Sequence, residues 1–188
     1  MSSEACGMQV EASLEARLVE DCSFGDEQAW RRFHRRYYPV AAAFLRKLGV
    51  RDTELEDAAQ DVFLQVHKYL HRFRREAELT TWLYRLCVTQ ARQVRRRARV
   101  SGMLLRALAL TPRADQISTP SLSEPAARRR IERALAALSD GERAVFVLYE
   151  MEGISGKEIA EIVKCPEPSV WRRLHYARTK FRKALDQT

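Results

Sequence analysis

Two prolines near the C-terminus, Pro166 and Pro168, divide that part of the chain into two helices joined by a tight turn. Ser155 and Glu158 have the spacing of a capping box, in which a hydroxyl and a carboxylate satisfy free amides at a helix start. A proline disfavours helical geometry in the residue before it, so the first helix should end near Lys164. The second helix should begin at Pro168, because a proline at the first helical position loses no hydrogen bond.

The second of these helices is amphipathic and cationic. Between Lys164 and Lys183 the chain has seven Lys or Arg residues and one Glu, a net charge of +6. Its apolar residues recur at the period of one helix face and are Val170, Leu174, Ala177, Phe181 and Leu185. A short helix, a turn and a cationic helix make a helix-turn-helix, whose second helix enters the DNA major groove. Such a helix is also typical of a solvated surface, but the capping box and the prolines favour DNA binding.

The charge of the whole chain also favours a polyanionic partner. Its 188 residues carry a net charge of +8, with a pI of about 9.6. Residues 1–23 differ, since they are acidic with Arg17 as their sole basic residue, and we expect them to be disordered. The sequence has no apolar run long enough to span a membrane and no signal-peptide pattern, which predicts a cytoplasmic protein.

Cysteine and histidine residues give no sign of a metal site. The cysteines are scattered without a C-x-x-C pair, which indicates free thiols in a reducing compartment; they are Cys6, Cys22, Cys87 and Cys165. His67 and His71 stand four residues apart, but no third ligand is near them.

Helical periodicity predicts an all-α fold of two small helical domains joined by a flexible linker. Apolar stripes, one of them interrupted by Pro39, indicate three helices in a first domain at residues 24–98. Proline and serine are frequent in residues 99–125, which predicts the linker. Inside the linker, residues 103–110 are apolar, which is typical either of a short helix that docks on a partner or of a segment that covers the apolar surface of a neighbouring domain. Residues 126–188 form the second domain, which ends with the helix-turn-helix.

Local signals predict where the helices of the first domain begin and end. Gly49 is the expected C-cap of the first helix, because glycine adopts the left-handed conformation there. Asp52 or Thr53 is the expected N-cap of the second helix. The third helix should begin near Thr80 or Thr81.

Three motifs resemble the extracytoplasmic-function sigma factors, a group of the sigma-70 family of bacterial RNA polymerase. They occur in the family's order within residues 26–185 and are DAAQDVFLQVHKYLHRF from Asp57, LTTWLYRLCVTQARQVRRR from Leu79 and LSDGERAVFVLYEMEGISGKEIAEIVKCPEPSVWRRLHYARTKFRKAL from Leu138. Each motif alone is a modest signal, but three of them in this order around a proline-containing linker are hard to obtain by chance, so the resemblance is specific to this family. The resemblance implies that the two domains are sigma regions two and four, and that the protein directs core polymerase to promoters without catalysis of its own.

The resemblance assigns polymerase binding to one face of the second helix. Asp57, Gln60 and Asp61 share that face through their i, i+3 and i+4 spacing, and they would contact the β′ clamp helices. The spacing alone is equally typical of a solvated acidic face. Region four would contact the β flap. The resemblance further implies an anti-sigma factor that can hold the protein at the inner membrane face, no cofactor and no small-molecule substrate.

The resemblance also assigns recognition and melting of the minus-ten promoter element. Opening a duplex requires aromatic platforms and cations for the separated strand. The residues in the matching positions are Phe73, Arg74, Arg75, Trp82, Thr89, Gln93, Arg96 and Arg97. The cations belong to a basic run with Arg92, Arg95 and Arg99 that would hold phosphates. Phe73 and Trp82 are equally typical of core residues, and Thr89 and Gln93 replace an asparagine and an aspartate frequent in the family.

For the minus-thirty-five element, the resemblance makes the cationic helix of region four the recognition helix. Early positions of such a helix meet base edges, and the candidates are Glu167, Ser169, Arg172, Arg173 and His175. Arg178 and Lys180 would meet phosphates or solvent. Trp171 lies one step off the apolar stripe, so it either reaches the groove or closes the domain core, and the core is the preferred interpretation.

Two other functions compete with this interpretation. A stand-alone helix-turn-helix regulator would explain the C-terminus but leaves the acidic face and residues 73–83 without a role. A metal-dependent nuclease would use Glu54, Asp57 and Asp61, which share a face, but it lacks a histidine or lysine partner.

Overall fold

The protein is described by a computed structural model that covers residues 2–73, 78–107 and 126–187. Every regular element within these residues is a helix, which confirms the all-α prediction. The helices are α1 (Ser2–Ser23), α2 (Glu27–Lys47), α3 (Asp52–Tyr69), α4 (Leu79–Ala107), α5 (Ala126–Ala136), α6 (Asp140–Phe146), α7 (Gly156–Val163) and α8 (Glu167–Asp186). Leu70–Arg72 adds a 3₁₀ turn after α3, and Val147–Met151 adds a π-helical turn after α6. No helix among the described residues is long and apolar enough to cross a membrane.

Helices α2, α3 and α4 form the first domain around one apolar core. Asp26 caps α2 by accepting a hydrogen bond from the Gln28 amide at 2.8 Å. Gly49 follows α2 with φ +86°, the left-handed conformation expected of it. Pro39 lies inside α2 without ending it. Arg51, one residue before the predicted cap, is the N-cap of α3.

The N-terminal segment is helical, so the prediction of disorder for residues 1–23 was wrong. Val19 and Cys22 are buried where α1 packs against α2, and the Tyr37 hydroxyl donates a hydrogen bond to Glu15. The acidic charge of this segment suggested disorder and concealed an interface that needs only a few apolar residues on one face. The partner surface on α2 supplies the rest.

Helix α4 is longer than the sequence predicted. It begins at Leu79 and continues to Ala107, so the first part of the predicted linker, residues 99–107, is helical. The frequent arginines before this point are good helix formers, and neither Ser101 nor Gly102 stops the helix. Part of the apolar piece at residues 103–110 therefore belongs to α4, and its last three residues lie outside the described residues.

The helix-turn-helix is present in the second domain. Ser155 and Glu158 form the predicted capping box, and α7 ends at Val163. Lys164 follows in the left-handed conformation with φ 55°, so the strained position of the turn lies between α7 and Cys165. Pro168 is the second helical residue of α8 and not the first, which is still a position whose amide needs no partner.

Candidate polymerase and DNA interfaces

The predicted polymerase-binding residues lie on α3 but differ in accessibility. Asp57 and Gln60 are exposed, as expected for a docking face. Asp61 is half-buried, and its carboxylate accepts a hydrogen bond at 2.7 Å from Nε2 of Gln90, a buried residue of α4. A buried amide needs such a partner, so Asp61 joins α3 to α4 while Asp57 and Gln60 remain free to bind.

An apolar residue extends this face of α3. Leu64 is 69% exposed and stands one turn after Gln60, so it shares the face of Asp57 and Gln60. Next to it, Phe63 is partly buried and contacts the rings of His34 and Tyr38. Helical periodicity gives no sign of Leu64 as a functional residue, because it is an isolated apolar residue on a polar face.

The two aromatic candidates for the minus-ten element contact each other. The ring centroids of Phe73 and Trp82 are 5.6 Å apart, and both residues are half-buried against the core of the first domain. Both residues therefore combine the two roles considered for them, because they pack partly against the core and are partly accessible at the surface for stacking on a base. Arg74 and Arg75 lie outside the described residues.

Four minus-ten candidates form one exposed stripe along α4. Their positions follow helical spacing on one face, and all four are exposed; they are Thr89, Gln93, Arg96 and Arg97. The Thr89 hydroxyl donates to the carbonyl of Arg85 at 2.9 Å, which leaves its oxygen available as an acceptor. The structure thus brings these four residues together, with two cations at the C-terminal part of the stripe.

The minus-thirty-five candidates occupy the first turns of α8, and they differ in solvent exposure and in the contacts that they already make. Arg172 and His175 are exposed, and Ser169 is half-buried. Glu167 accepts a hydrogen bond from Trp171 Nε1 at 3.3 Å. Arg173 is half-buried, and its guanidinium lies over Gly141 at the start of α6, 3.6 Å from where a β-carbon would stand. Arg172 and His175 are therefore the members most accessible to bases.

Trp171 combines the two positions considered for it. Its indole packs on Gly156, where any side chain would overlap the ring, and meets the ring of Tyr149 edge-on at 5.5 Å. Even so, 43% of the residue is exposed. The preference for the core was thus only partly right, because one edge of the ring faces solvent beside the recognition surface.

Two cations predicted to meet phosphates or solvent are paired with carboxylates of their own domain. Arg178 donates to Glu150 at 2.6 Å, and Lys180 donates to Glu142 at 2.7 Å. Burial opposes ionisation of Glu142, but hydrogen bonds from Lys180 and Ser139 outweigh it and lower the pKa of Glu142. These pairs bind α8 to its own domain and reduce the charge offered to DNA.

Tyr176 is a candidate that sequence reasoning missed. It is 53% exposed on α8, one turn after Arg172, and its ring contacts His175 with centroids 5.6 Å apart. The signal in the sequence was an aromatic residue four positions after Arg172, which places both side chains on one face of the helix. Its position outside the apolar stripe of α8 is what separates it from a core residue.

The carboxylates proposed for a nuclease do not converge on a metal site. Glu54 accepts a hydrogen bond from Arg51 at 2.8 Å, and Asp61 is bonded to Gln90. Across residues 2–73, 78–107 and 126–187 there is no group of three His, Cys, Asp or Glu residues that could hold a metal ion.

Two helical domains, the second ending in a helix-turn-helix, define the class of a promoter-recognition protein. The family model described as Sigma-70 region 2 matches residues 33–100, and the one described as Sigma-70, region 4 matches residues 128–181. The chain is 30% identical to the ECF RNA polymerase sigma-E factor of Escherichia coli strain K12 over 171 residues, covering 86% of this chain and 88% of that relative. The chain belongs to the sigma-70 family, in its extracytoplasmic-function group.

Other relatives agree with this assignment. The ECF RNA polymerase sigma-E factor of Haemophilus influenzae is 28% identical over 177 residues, covering 86% of this chain and 89% of that relative. The fold is similar to the sigma factor RpoE in complex with the anti-sigma factor NepR from Bartonella quintana, with a TM-score of 0.66, 21% identity and coverage of 84% and 96%. It is also similar to CnrH in complex with the cytosolic domain of CnrY, with a TM-score of 0.64, 24% identity and coverage of 90% and 96%.

Proposed function

We propose that three surfaces of this sigma factor divide its work: α3 binds core polymerase, α4 the minus-ten element and α8 the minus-thirty-five element. Membership of the family makes the chain a transcription initiation factor with a DNA-binding region four. The observation that carries the residue-level proposal is the separation of an exposed Asp57–Gln60 face from the exposed arginine-bearing faces of α4 and α8. Polymerase and DNA can then be bound at the same time.

On α3, Asp57 and Gln60 would bind the β′ clamp helices directly. Both are exposed, and Leu64 beside them offers apolar area that a protein partner can bury. Asp61 would support polymerase binding indirectly, because its hydrogen bond with Gln90 holds α3 against α4. Region four would meet the β flap.

On α4, the arginines would hold the backbone of the minus-ten strand and the polar residues would meet its bases. Arg96 and Arg97 supply charge without sequence information, because phosphates are alike at every step. Gln93 on the same stripe can donate and accept hydrogen bonds, and Thr89, whose hydroxyl already donates to the Arg85 carbonyl, can accept them. The partly exposed Phe73–Trp82 pair would support an unstacked base near Arg74 and Arg75.

On α8, Arg172 would read a base edge in the major groove of the minus-thirty-five element. It is exposed near the start of the recognition helix, where an arginine can form two hydrogen bonds with guanine. His175 and Tyr176 extend the same surface by one turn. Ser169 and Glu167 would contribute at the rim, and Arg173 would position the helix through its contact with α6.

The chain would have an anti-sigma partner, no catalytic activity of its own and a cytoplasmic location. One structural neighbour is a sigma factor in complex with an anti-sigma factor, which supports such a partner here. Family members initiate transcription without catalysis, since the polymerase forms the phosphodiester bonds. If the partner is a membrane protein, it would hold this chain at the inner face of the membrane.

The test adds purified protein to its cognate core polymerase and sequences transcripts made from genomic DNA. Discrete start sites that share two upstream elements are expected. A transcript pattern identical to that of core polymerase alone would contradict the proposal. A footprint on duplex promoter DNA without polymerase would favour the stand-alone regulator instead.

A matched pair of variants tests the α3 surface. Asp57→Ala is expected to weaken binding to core polymerase, measured by competition for a labelled sigma factor, because it removes an exposed acid of the docking face. Glu20→Ala removes an exposed acid of α1, outside this face of α3, and should retain wild-type binding. Equal loss in both variants would show that total negative charge matters and not this face.

A further inference from the structure

Region four packs directly on region two, and the contact is built from charged groups. Helices α4 and α7 are in contact, and the buried core runs continuously across both domains. Around that core, region four presents Asp140, Glu152 and Arg143 to the end of α2 and to α4. Separate sequence motifs do not indicate this contact, because the paired residues stand between 41 and 105 positions apart in the chain.

Arg143 shows that the contact has a defined geometry. Its guanidinium is buried, and it donates to the Lys47 carbonyl at 2.6 Å and to the Arg46 carbonyl at 3.4 Å. These carbonyls belong to the last turn of α2, where a cation is favoured by the helix dipole, and the Arg46 carbonyl also accepts from the Gly49 amide at 2.8 Å. Burial, helped by the neighbouring Arg95, lowers the pKa of Arg143 to about 10. A side chain from region four therefore caps a helix of region two.

Two carboxylates of region four complete the contact. Asp140 accepts from both Arg95 and Arg99 of α4, the latter at 2.7 Å. Glu152, with only 12% of its side chain exposed, accepts from the Tyr84 hydroxyl at 2.5 Å and from Lys47 at 2.6 Å. Ion pairs at this degree of burial are screened less by salt than pairs on the surface.

The contact divides the basic run of α4 into two sets. Arg96 and Arg97 remain exposed on the stripe proposed for the minus-ten strand. Arg95 and Arg99 are paired with Asp140, and Arg92 donates to the Val163 carbonyl of α7 at 3.2 Å. A carboxylate and a phosphate compete for the same guanidinium hydrogens. The set facing region four is therefore already occupied by acceptors of the same chain.

We propose that region four is an intramolecular competitor of DNA for α4: Asp140 and Glu152 hold the free chain closed, and nucleic-acid phosphates bind Arg95, whose side chain is only 18% exposed, only after the two domains separate. This rests on the proposed function of α4 in holding the minus-ten strand. The free sigma factor then binds DNA weakly, and any partner that pulls region four away increases the affinity of region two. The apparent affinity for DNA is proportional to the fraction of open chains. If nine-tenths of the chains are closed, full opening therefore raises this affinity about tenfold.

The test uses the full chain with Asp140→Asn and Glu152→Gln, which remove the two carboxylate charges and keep side-chain size. Small-angle scattering should show a larger radius of gyration, and a fluorescein-labelled single strand should bind several-fold more tightly. Glu150→Gln is the matched control, because Glu150 pairs with Arg178 inside region four and should change neither quantity. The single variants should give intermediate shifts, which guards against misfolding of the double variant.

A further variant separates opening from phosphate binding. Arg95→Gln removes both the partner of Asp140 and a phosphate ligand, so it should expand the chain without increasing DNA affinity. An unchanged radius in the double variant, a larger radius with unchanged affinity, or a gain that survives when Arg95→Gln is added would each overturn the proposal. None of these measurements includes polymerase, so their failure is distinct from failure of the transcription test.

Discussion

Two cationic helices, α4 of region two and α8 of region four, use their charge in different ways. In α8, Arg178 and Lys180 pair with acids of their own domain, and Arg172 stays exposed. In α4, Arg95 and Arg99 pair with Asp140 of the other domain. The reading surface of region four is thus accessible, whereas Arg95 of α4 is held largely buried at the contact between the domains. Charge count alone would have treated the two helices as equivalent.

The largest expected effect tests whether the two helices fold as parts of one unit. Leu174 in α8 and Leu83 in α4 are both almost fully buried. Replacing either with alanine should lower the free energy of unfolding by about 2–5 kcal/mol, because the cavity and the lost apolar contact both cost energy. Urea unfolding followed by circular dichroism measures this. If the domain contact makes unfolding cooperative, both variants shift one shared transition; two transitions, each sensitive to one variant, would show independent domains.

A smaller effect tests the claim that α8 is ready to read DNA. Arg172→Ala should cost about 1–3 kcal/mol in binding of the holoenzyme to a promoter and relax specificity at one minus-thirty-five position. Promoter binding is measured across single-base variants of that element. Arg178→Ala, which removes an arginine paired with Glu150, is the control and should leave the base preference unchanged. Loss of preference in the control as well would place the reading surface elsewhere on α8.

Alkaline pH should destabilise region two through its buried thiols. Burial and the neighbouring Asp21 raise the pKa of Cys22 to about 11, and burial also raises the pKa of Cys87. The unfolded chain releases these protons near pH 9 while the folded chain keeps them, so the free energy of unfolding should fall as pH rises from about 9 to 11. Urea titrations across that interval measure the slope, which Cys87→Ala should reduce. A steeper or unchanged slope in that variant would contradict this cause.

Local features of both regions could be predicted from the sequence, and contacts between distant parts could not. The capping box of α7 and the left-handed Gly49 depend on a few neighbouring residues, so a local pattern is sufficient to indicate them. The helical state of α1 depends on a surface of α2, and the pairing of Asp61 with Gln90 depends on how α3 and α4 pack. Among the interface candidates, the sequence indicated residue types correctly but could not tell which cations were already paired.

The smallest expected effect concerns the turn that orients α8. Lys164 has φ 55°, a conformation that costs a residue with a β-carbon about 1 kcal/mol and glycine almost nothing. Lys164→Gly should therefore stabilise region four by about 0.5–1 kcal/mol, since the greater freedom of glycine in the unfolded chain offsets part of the gain. Lys164→Ala removes the same charge but keeps the β-carbon, so it should not stabilise. Equal stabilities of the two variants in urea unfolding would mean that the turn carries no strain. A gain for glycine alone would show that region four tolerates backbone strain at the turn that sets the angle of its recognition helix. Among the described residues, no non-glycine residue next to α4 has a positive φ, so the orientation of α4 carries no such cost.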